Sequence, residues 1–315
     1  MDKSVVIVGA GMAGLSAAGA LRQDGIASVL LDKSRAVGGR MATRTIGEAR
    51  FDQGAQHFGI RSERFADLAQ PWLEAGIIRE WYRTANHEPR YAGTGGMRRI
   101  PEYMARSLDV RTQTTIERIE ILERTVVAVD QNGGRVQASA MIITPPLPQT
   151  LTLLDTSLIP IADGLRESLA IDYHGCLSVM LQLDGPGGLP DGHRSNVDAS
   201  IAWMADNAHK GTSGLPAVTV HSTAGFAADH LEAPTDEWMA LLVAAARPHL
   251  HGEITGSSGH RWRYAEPATT LDQGCVLLDT TVPLVLAGEV FAGAKIEGAA
   301  LSGLAAATAV TEQLR

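Results

Sequence analysis

Short apolar runs without a polar break stand at the two ends of the chain, and segments of alternating apolar and polar residues occur between them. Residues 4–8 (SVVIV) are apolar and rich in β-branched side chains, the pattern of a strand buried on both faces of a parallel sheet. Gly9-Ala10-Gly11-Met12-Ala13-Gly14 follows, residues 15–23 read as a helix, and a second apolar strand over residues 27–31 ends in Asp32. Together they make a βαβ unit of about 30 residues.

The middle is more mixed. A helix is expected over residues 63–73, leading past Trp72, Trp81 and Tyr82 to the turn Gly93-Thr94-Gly95-Gly96. Residues 115–122 and 125–129 read as a hairpin, and residues 135–144 as a strand ending in Met141-Ile142-Ile143 that Pro145, Pro146 and Pro148 cut off. Alternation over residues 172–184 and 217–222 predicts antiparallel strands with one exposed face. Residues 186–194 read as a loop and 237–246 as an amphipathic helix. The opening pattern then returns: residues 283–287 (PLVLA) form a buried strand, Gly288-Glu289 follow, and a helix runs from about Gly298 to Leu314, with Gly303 small enough for another element to pack closely. Parallel-type strands at both ends with antiparallel ones between them predict an α/β protein. A discontinuous Rossmann-type domain over residues 1–75, 97–160 and 270–315 would carry an inserted antiparallel α+β domain over residues 76–96 and 161–269.

Composition narrows the class. The 315 residues carry a net charge of −8, which argues against a nucleic-acid partner. Glycine, at 33 residues outside low-complexity tracts, is over-represented. Cys176 and Cys275 make neither a disulfide framework nor a Cys-x-x-Cys pair. His249-x-His251 lacks further ligands, so no metal site is expected. No run is long enough to span a bilayer, and residues 1–8 leave no room for a signal peptide before the glycine motif, so a cytoplasmic location is expected.

The glycine motif supplies the chemistry. Gly9 allows a tight turn, Gly11 lets the backbone approach a pyrophosphate and Gly14 lets helix and strand pack, while Ala10, Met12 and Ala13 complete a loop whose amides face phosphate. Asp32, 23 residues after Gly9, suits ribose hydroxyls. Lys33 opens a basic, glycine-containing turn through Gly38, Gly39, Arg40 and Met41, where an enzyme of soluble NAD would ordinarily run on to a helix. Such a turn can fold back along a longer cofactor and bring Arg40 to its pyrophosphate. Gly54, Ala55, Gln56 and His57 then set small residues beside polar and aromatic ones, as an approach to a flat ring requires.

These features, with Gly288-Glu289, resemble the FAD-binding flavoproteins that include amine oxidases and phytoene desaturases. Residues 52–58 (DQGAQHF), 93–97 (GTGGM), 142–149 (IITPPLPQ), 203–207 (WMADN), 260–267 (HRWRYAEP) and 295–303 (KIEGAALSG) are similar to the bacterial renalases. The resemblance implies a two-dinucleotide-binding-domain flavoprotein of the p-hydroxybenzoate hydroxylase-like type with non-covalent FAD. It also implies that Glu289 contacts the ribityl or pyrophosphate region and that Gly298 and Ala299 approach the isoalloxazine. The chain departs from renalases at Glu289-Val290, where they tend to have Asp-Trp, and at His57, where they tend to have an aromatic residue.

The FAD would carry the redox chemistry. Related amine oxidases hold a lysine near flavin N5 on a strand of the substrate domain, but this chain has only Lys3, Lys33, Lys210 and Lys295, so the strand over residues 172–184 cannot supply one, and only Lys210 or Lys295 could do so from elsewhere. A dihydropyridine needs no enzymic base, and the resemblance implies such a donor. Isomers of NAD(P)H reduced at the 2 or 6 position would be oxidised to NAD(P)+, with oxygen giving hydrogen peroxide. An amine oxidase or desaturase-like dehydrogenase is the alternative on the same fold, and a non-catalytic dinucleotide-binding regulator the alternative of another class.

Candidate substrate contacts are Phe58, Asn207, His221, Trp262 and Tyr264, each with a structural reading beside it. His221 is equally a core histidine. Trp262 and Tyr264 share a face if extended and suit either a ring wall or core packing. Asn207, at helical spacing from Trp203, suits a carboxamide or a cap. Gln56 and His57 suit the flavin or a turn. Arg98-Arg99 suit substrate phosphates or a solvated helix start, and Glu297 a helix's positive end.

Overall fold

The computed structural model describes residues 3–315, so the first two residues of the expected amino-terminal segment lie outside the described residues. The apolar end runs assemble into one six-stranded sheet, ordered Val276–Leu277, Leu284–Leu286, Ala140–Ile143, Ser4–Val8, Ala27–Leu31 and Asp109–Arg111. Every neighbouring pair is parallel except the antiparallel edge pair of Val276–Leu277 with Leu284–Leu286. The runs lack polar breaks because both faces are covered. On one side Val5, Ile7, Ile142 and Val285 pack under the helices Met12–Gln23 and Ile296–Gln313. On the other, Val6, Val8 and Met141 meet Ile119, Val126 and Ala138 of the three-stranded sheet Ile116–Ile121, Val126–Asp130 and Arg135–Ala138. The two helices cross backbone to backbone: a Cβ on Gly303 would stand 2.1 Å from the Ala13 carbonyl oxygen.

Two details differ from the sequence reading. The single strand expected over residues 135–144 is two, because the chain leaves the small antiparallel sheet after Ala138 and joins the parallel one at Ala140. The prolines that stop it also start the helix Leu147–Thr156, in whose first turn the missing N–H costs nothing.

Between these elements lies a five-stranded antiparallel sheet, ordered His193–Ser195, Ile201–Asp206, Ala217–Ser222, Tyr173–Leu183 and Ile254–Pro267. Leu177, Val179, Leu181 and Val220 cover one face, packed on Trp238 and Leu242 of the helix Thr235–Ala246. Trp203 and Asn207 were read at helical spacing, but the chain between them is extended through Asp206, because ladder bonds to Ala217–Ser222 on one side and His193–Ser195 on the other outweigh local propensity. The loop expected over residues 186–194 likewise ends as an edge strand at His193. The hairpin Ile78–Arg83 and Pro89–Gly93 lies near that edge, with Trp81 and Tyr82 against Trp203 and His193. Among the described residues no helix is long and apolar enough to cross a membrane.

Candidate active site

A cleft of about 1810 Å³ runs from the glycine loop, past the carboxyl ends of the parallel strands, to the free face of the antiparallel sheet. At its first end Gly14 seats the helix on the turn, since a Cβ there would stand 2.0 Å from the Gly9 carbonyl oxygen. Gly11 differs: its backbone is extended, a Cβ would meet nothing within 4 Å, and it faces the cleft. Packing therefore does not require this glycine; room for a ligand does. The helix that begins there has no side-chain cap, so its first amides can face an anion. Met12 and Ala13 line the cleft, whereas Ala10 donates its N–H to Asp32 Oδ2 at 2.7 Å. Asp32 Oδ1 accepts from Ser34 N at 2.7 Å, which fixes the carboxylate at the strand end where ribose hydroxyls would reach it.

Lys33, Gly39, Arg40 and Met41 line the next stretch. Arg40 makes a two-pronged ion pair with Glu289, at 2.7 and 2.5 Å, and Glu289 also accepts from the Tyr173 hydroxyl at 3.2 Å. Burial opposes both charges, yet each partner offsets it, holding the guanidinium above its ordinary range and the carboxyl below its own. Gly288 does not line the cleft; its N–H donates to Ser302 Oγ beneath. Gly298 and Ala299 line it at the start of the 18-residue helix Ile296–Gln313. A Cβ on Gly298 would stand 1.9 Å from the Gly293 carbonyl oxygen, so only glycine lets the chain double back there.

The far end is walled by the antiparallel sheet. Trp203 pairs with His221, His221 with Ser178 and Ser178 with His260, so four strands carry one row, and Cys176 pairs with Trp262 farther along. Trp203, His221, His260, Cys176 and Trp262 all line the cleft. Trp262 Nε1 donates to the Gln53 carbonyl at 2.9 Å and His221 Nε2 to the same oxygen at 3.2 Å. Facing them are Gly54, Ala55, Gln56 and His57. Burial, with the charges of Lys210 and Arg90, pulls His57 down to about 3, and burial pulls His221 down to about 4. Both are neutral at pH 7.

Several expectations are relocated. Asn207 does not line the cleft; fully buried, it accepts from Asp52 N at 3.1 Å and donates to Thr219 Oγ1 at 2.9 Å, so its amide braces the wall instead of meeting substrate. Phe58 reaches the cleft but is 4% exposed and packs on Phe65, Trp72 and Tyr91. Tyr264 lines the cleft beside Arg40, which its carbonyl contacts. Gln56 spends its amide on the Asp52 and Gly54 carbonyls and on Lys210. Arg98 lines the cleft and Arg99 does not; Glu297 ties Ser62 and the Arg61 N–H to the terminal helix. Lys210 is fully buried behind the wall, 3.0 Å from Asp52 and 2.6 Å from Gln56 Oε1. No group of three or more metal-ligating side chains occurs among the described residues.

The Asp52–Lys210 pair, Tyr82 and His260 escape a sequence reading. The alternation of residues 217–222 marks a sheet, but nothing local says which loop it backs.

A long groove with an uncapped helix end, a strand-end carboxylate, an arginine midway and a flat-walled far end fits an FAD molecule. The neutral histidines set an acid limit on stability. Both fall below the ordinary 6.5, so the folded chain binds fewer protons than the unfolded one; the stability is complete above about pH 6.5 and is lost as pH falls towards 4 and 3. His57→Phe is therefore expected to lose less thermal stability between pH 7 and 4 than the parent, measured by circular dichroism. Equal losses would contradict the assignment.

Comparison with known proteins agrees with this geometry. Residues 7–71 match the NAD(P)-binding Rossmann-like domain and residues 65–311 the flavin containing amine oxidoreductase family. Among solved structures, a protein assigned as a protoporphyrinogen oxidase from Exiguobacterium sp. 255-15 has a TM-score of 0.79 at 14% identity, with 99% of each chain covered. Putrescine oxidase bound to putrescine has a TM-score of 0.73 at 16% identity, again with 99% of each chain covered. At these identities the likeness is one of fold.

Proposed function

The chain belongs to the flavin containing amine oxidoreductase family, and within it we propose a renalase-like oxidase of 2- or 6-dihydro isomers of NAD(P)H. FAD held at the uncapped helix start, Asp32 and Arg40 would supply the two-electron redox chemistry, by which the donor's hydride and one proton from solvent would reduce oxygen to hydrogen peroxide. The donor leaves as NAD(P)+.

The charge of the cleft carries this reading. In a chain of net charge −8, nine lysine and arginine side chains line the cleft against four carboxylates. Each carboxylate is already engaged: Asp32 by backbone amides, Glu266 by Lys295, Glu289 by Arg40 and Glu297 by Ser62. Beyond the cations suited to the FAD pyrophosphate, the charges of Arg90 and Lys295 reach His57 at the far end, each of them already paired, Arg90 with Glu88 and Lys295 with Glu266. Such a site favours an anionic phosphate-bearing donor and opposes a polyamine.

The side chains agree with hydride loss from a ring that needs no base. Burial lowers the proton affinity of His57 and His221 and so makes both poor bases, and Lys210 faces Asp52 and Gln56 instead of the cleft. Trp203 and Trp262 offer flat surfaces that orient a ring and exclude water. Burial pushes the Cys176 thiol up to about 12, which keeps it protonated and unreactive as a nucleophile.

Peroxide release tests the reading across a panel of the dihydroNAD(P) isomers, ordinary NADH, putrescine and protoporphyrinogen. The isomers are expected to give the highest kcat/KM, with ordinary NADH far below. Preference for putrescine would return the protein to the amine oxidases of its family, and tight FAD binding with no donor would favour a regulator.

A further inference from the structure

His57 stands where the resemblance leads one to expect a plain aromatic ring, and its surroundings give it a polar use. Its ring lies among Trp203, Tyr82 and Trp81, with centroids at 5.0, 5.3 and 6.3 Å. His57 Nε2 is 3.1 Å from the Tyr82 hydroxyl. The other nitrogen, Nδ1, is buried and has no hydrogen-bond partner, although the residue lines the cleft. A buried polar nitrogen without a partner costs about 1–3 kcal/mol, so its retention at a ligand cleft points to a partner supplied by the ligand.

The phenol decides which hydrogen-bonding role Nδ1 takes. A phenol is a good donor and, with its oxygen lone pair drawn into the ring, a poor acceptor, whereas an imidazole nitrogen without hydrogen is a good acceptor. The stronger arrangement has Tyr82 donating to Nε2, which puts the proton of the neutral ring on Nδ1. Tyr82 can hold this bond because it is fixed on the hairpin strand Ile78–Arg83 and its ring rests on His193, centroid to centroid 4.1 Å. We propose that Tyr82 is a positioning residue that holds His57 in the Nδ1–H form, so that His57 donates a hydrogen bond to a carbonyl oxygen of the ring system bound in the cleft. That oxygen belongs either to the flavin or to the carboxamide of a nicotinamide donor. The inference rests on an FAD-loaded cleft; only its second source rests on the donor proposed above.

The test uses FAD-loaded full-length protein with 15N-labelled histidine, the His57 signals being assigned by their loss in His57→Phe. The parent is expected to show protonated Nδ1 and bare Nε2 at neutral pH. Tyr82→Phe, which keeps the ring packing and removes only the hydroxyl, is expected to give a mixture of the two tautomers. In protein loaded with FAD 13C-labelled at its carbonyls, a carbonyl shift that changes in His57→Phe assigns the bond to the flavin. A change in the His57 Nδ1 signal only when NAD+ is added assigns it to the nicotinamide. Either bond should be worth about three- to tenfold in affinity for its owner, lost in His57→Phe and largely kept in His57→Gln. A parent protonated on Nε2, tautomers unmoved by Tyr82→Phe, or an Nδ1 indifferent to both FAD and NAD+ would overturn the proposal. The tautomer and flavin measurements do not involve a donor, so they stand or fall apart from the oxidase reading.

Discussion

Gly11→Val is expected to leave the apoprotein folded and to weaken FAD binding by about 100-fold, equivalent to roughly 2.7 kcal/mol. The backbone at Gly11 is extended, with φ −80° and ψ −173°, and a Cβ there meets nothing within 4 Å. A branched side chain therefore costs the protein little, yet it projects beside the first turn of Met12–Gln23, where a diphosphate must come within hydrogen-bonding distance of the amides. Gly14→Val is the contrast, because its Cβ would collide with the Gly9 carbonyl oxygen and unseat the helix. Thermal melting of the apoproteins and titration with FAD separate the two. Gly11→Val should melt with the parent and bind poorly, whereas Gly14→Val should melt well below it. Unchanged FAD affinity in Gly11→Val would mean that the diphosphate does not pass this point.

Lys210→Met is expected to destabilise the protein by about 3–5 kcal/mol, because it leaves Asp52 as an uncompensated buried charge. Both side chains of the pair are wholly buried. Asp52 is also the knot of the wall: its carboxylate accepts from Thr43 Oγ1 at 2.5 Å, Met97 N at 2.8 Å and Thr212 Oγ1 at 3.1 Å, while its backbone carbonyl takes the Gln56 amide at 2.5 Å. Burial pulls the Lys210 ammonium below its ordinary range, and Asp52 opposes that pull. The double variant Asp52→Asn, Lys210→Met removes both charges and should lose less than the sum of the two single variants. Chemical denaturation of the three variants measures this. A loss under about 1 kcal/mol for Lys210→Met would contradict a charged, paired lysine.

How far these features could be read from the sequence depended on how local their causes were. The βαβ unit, the glycine loop and Asp32 follow from contiguous residues, and the structure places them together at one end of the cleft. The terminal helix is similarly local, and the place kept small at Gly303 is where Ala13 meets it. The wall of the far end is not local. Lys210 reaches Gln56 across 154 positions, and Asn207 reaches Asp52 across 155. Periodicity marks Ala217–Ser222 as a strand but carries no record of the loop behind it. Residues 203–206 misled for the same reason, since their extended form comes from neighbouring strands. Tyr82 carried no signal beyond its ring, and only the turn of its hairpin brings it to His57.

Anaerobic mixing shows whether the cationic, base-poor cleft serves a dihydronicotinamide donor. Protein loaded with FAD would be mixed without oxygen with 2-dihydroNAD(P), 6-dihydroNAD(P), ordinary NADH or putrescine, and the flavin absorbance followed in time. Rapid bleaching by the 2- or 6-dihydro isomers is expected, with stoichiometric formation of NAD(P)+, and much slower bleaching by ordinary NADH and putrescine. A flavin that stays oxidised with both isomers while putrescine bleaches it would instead mark the cleft as that of an amine oxidase.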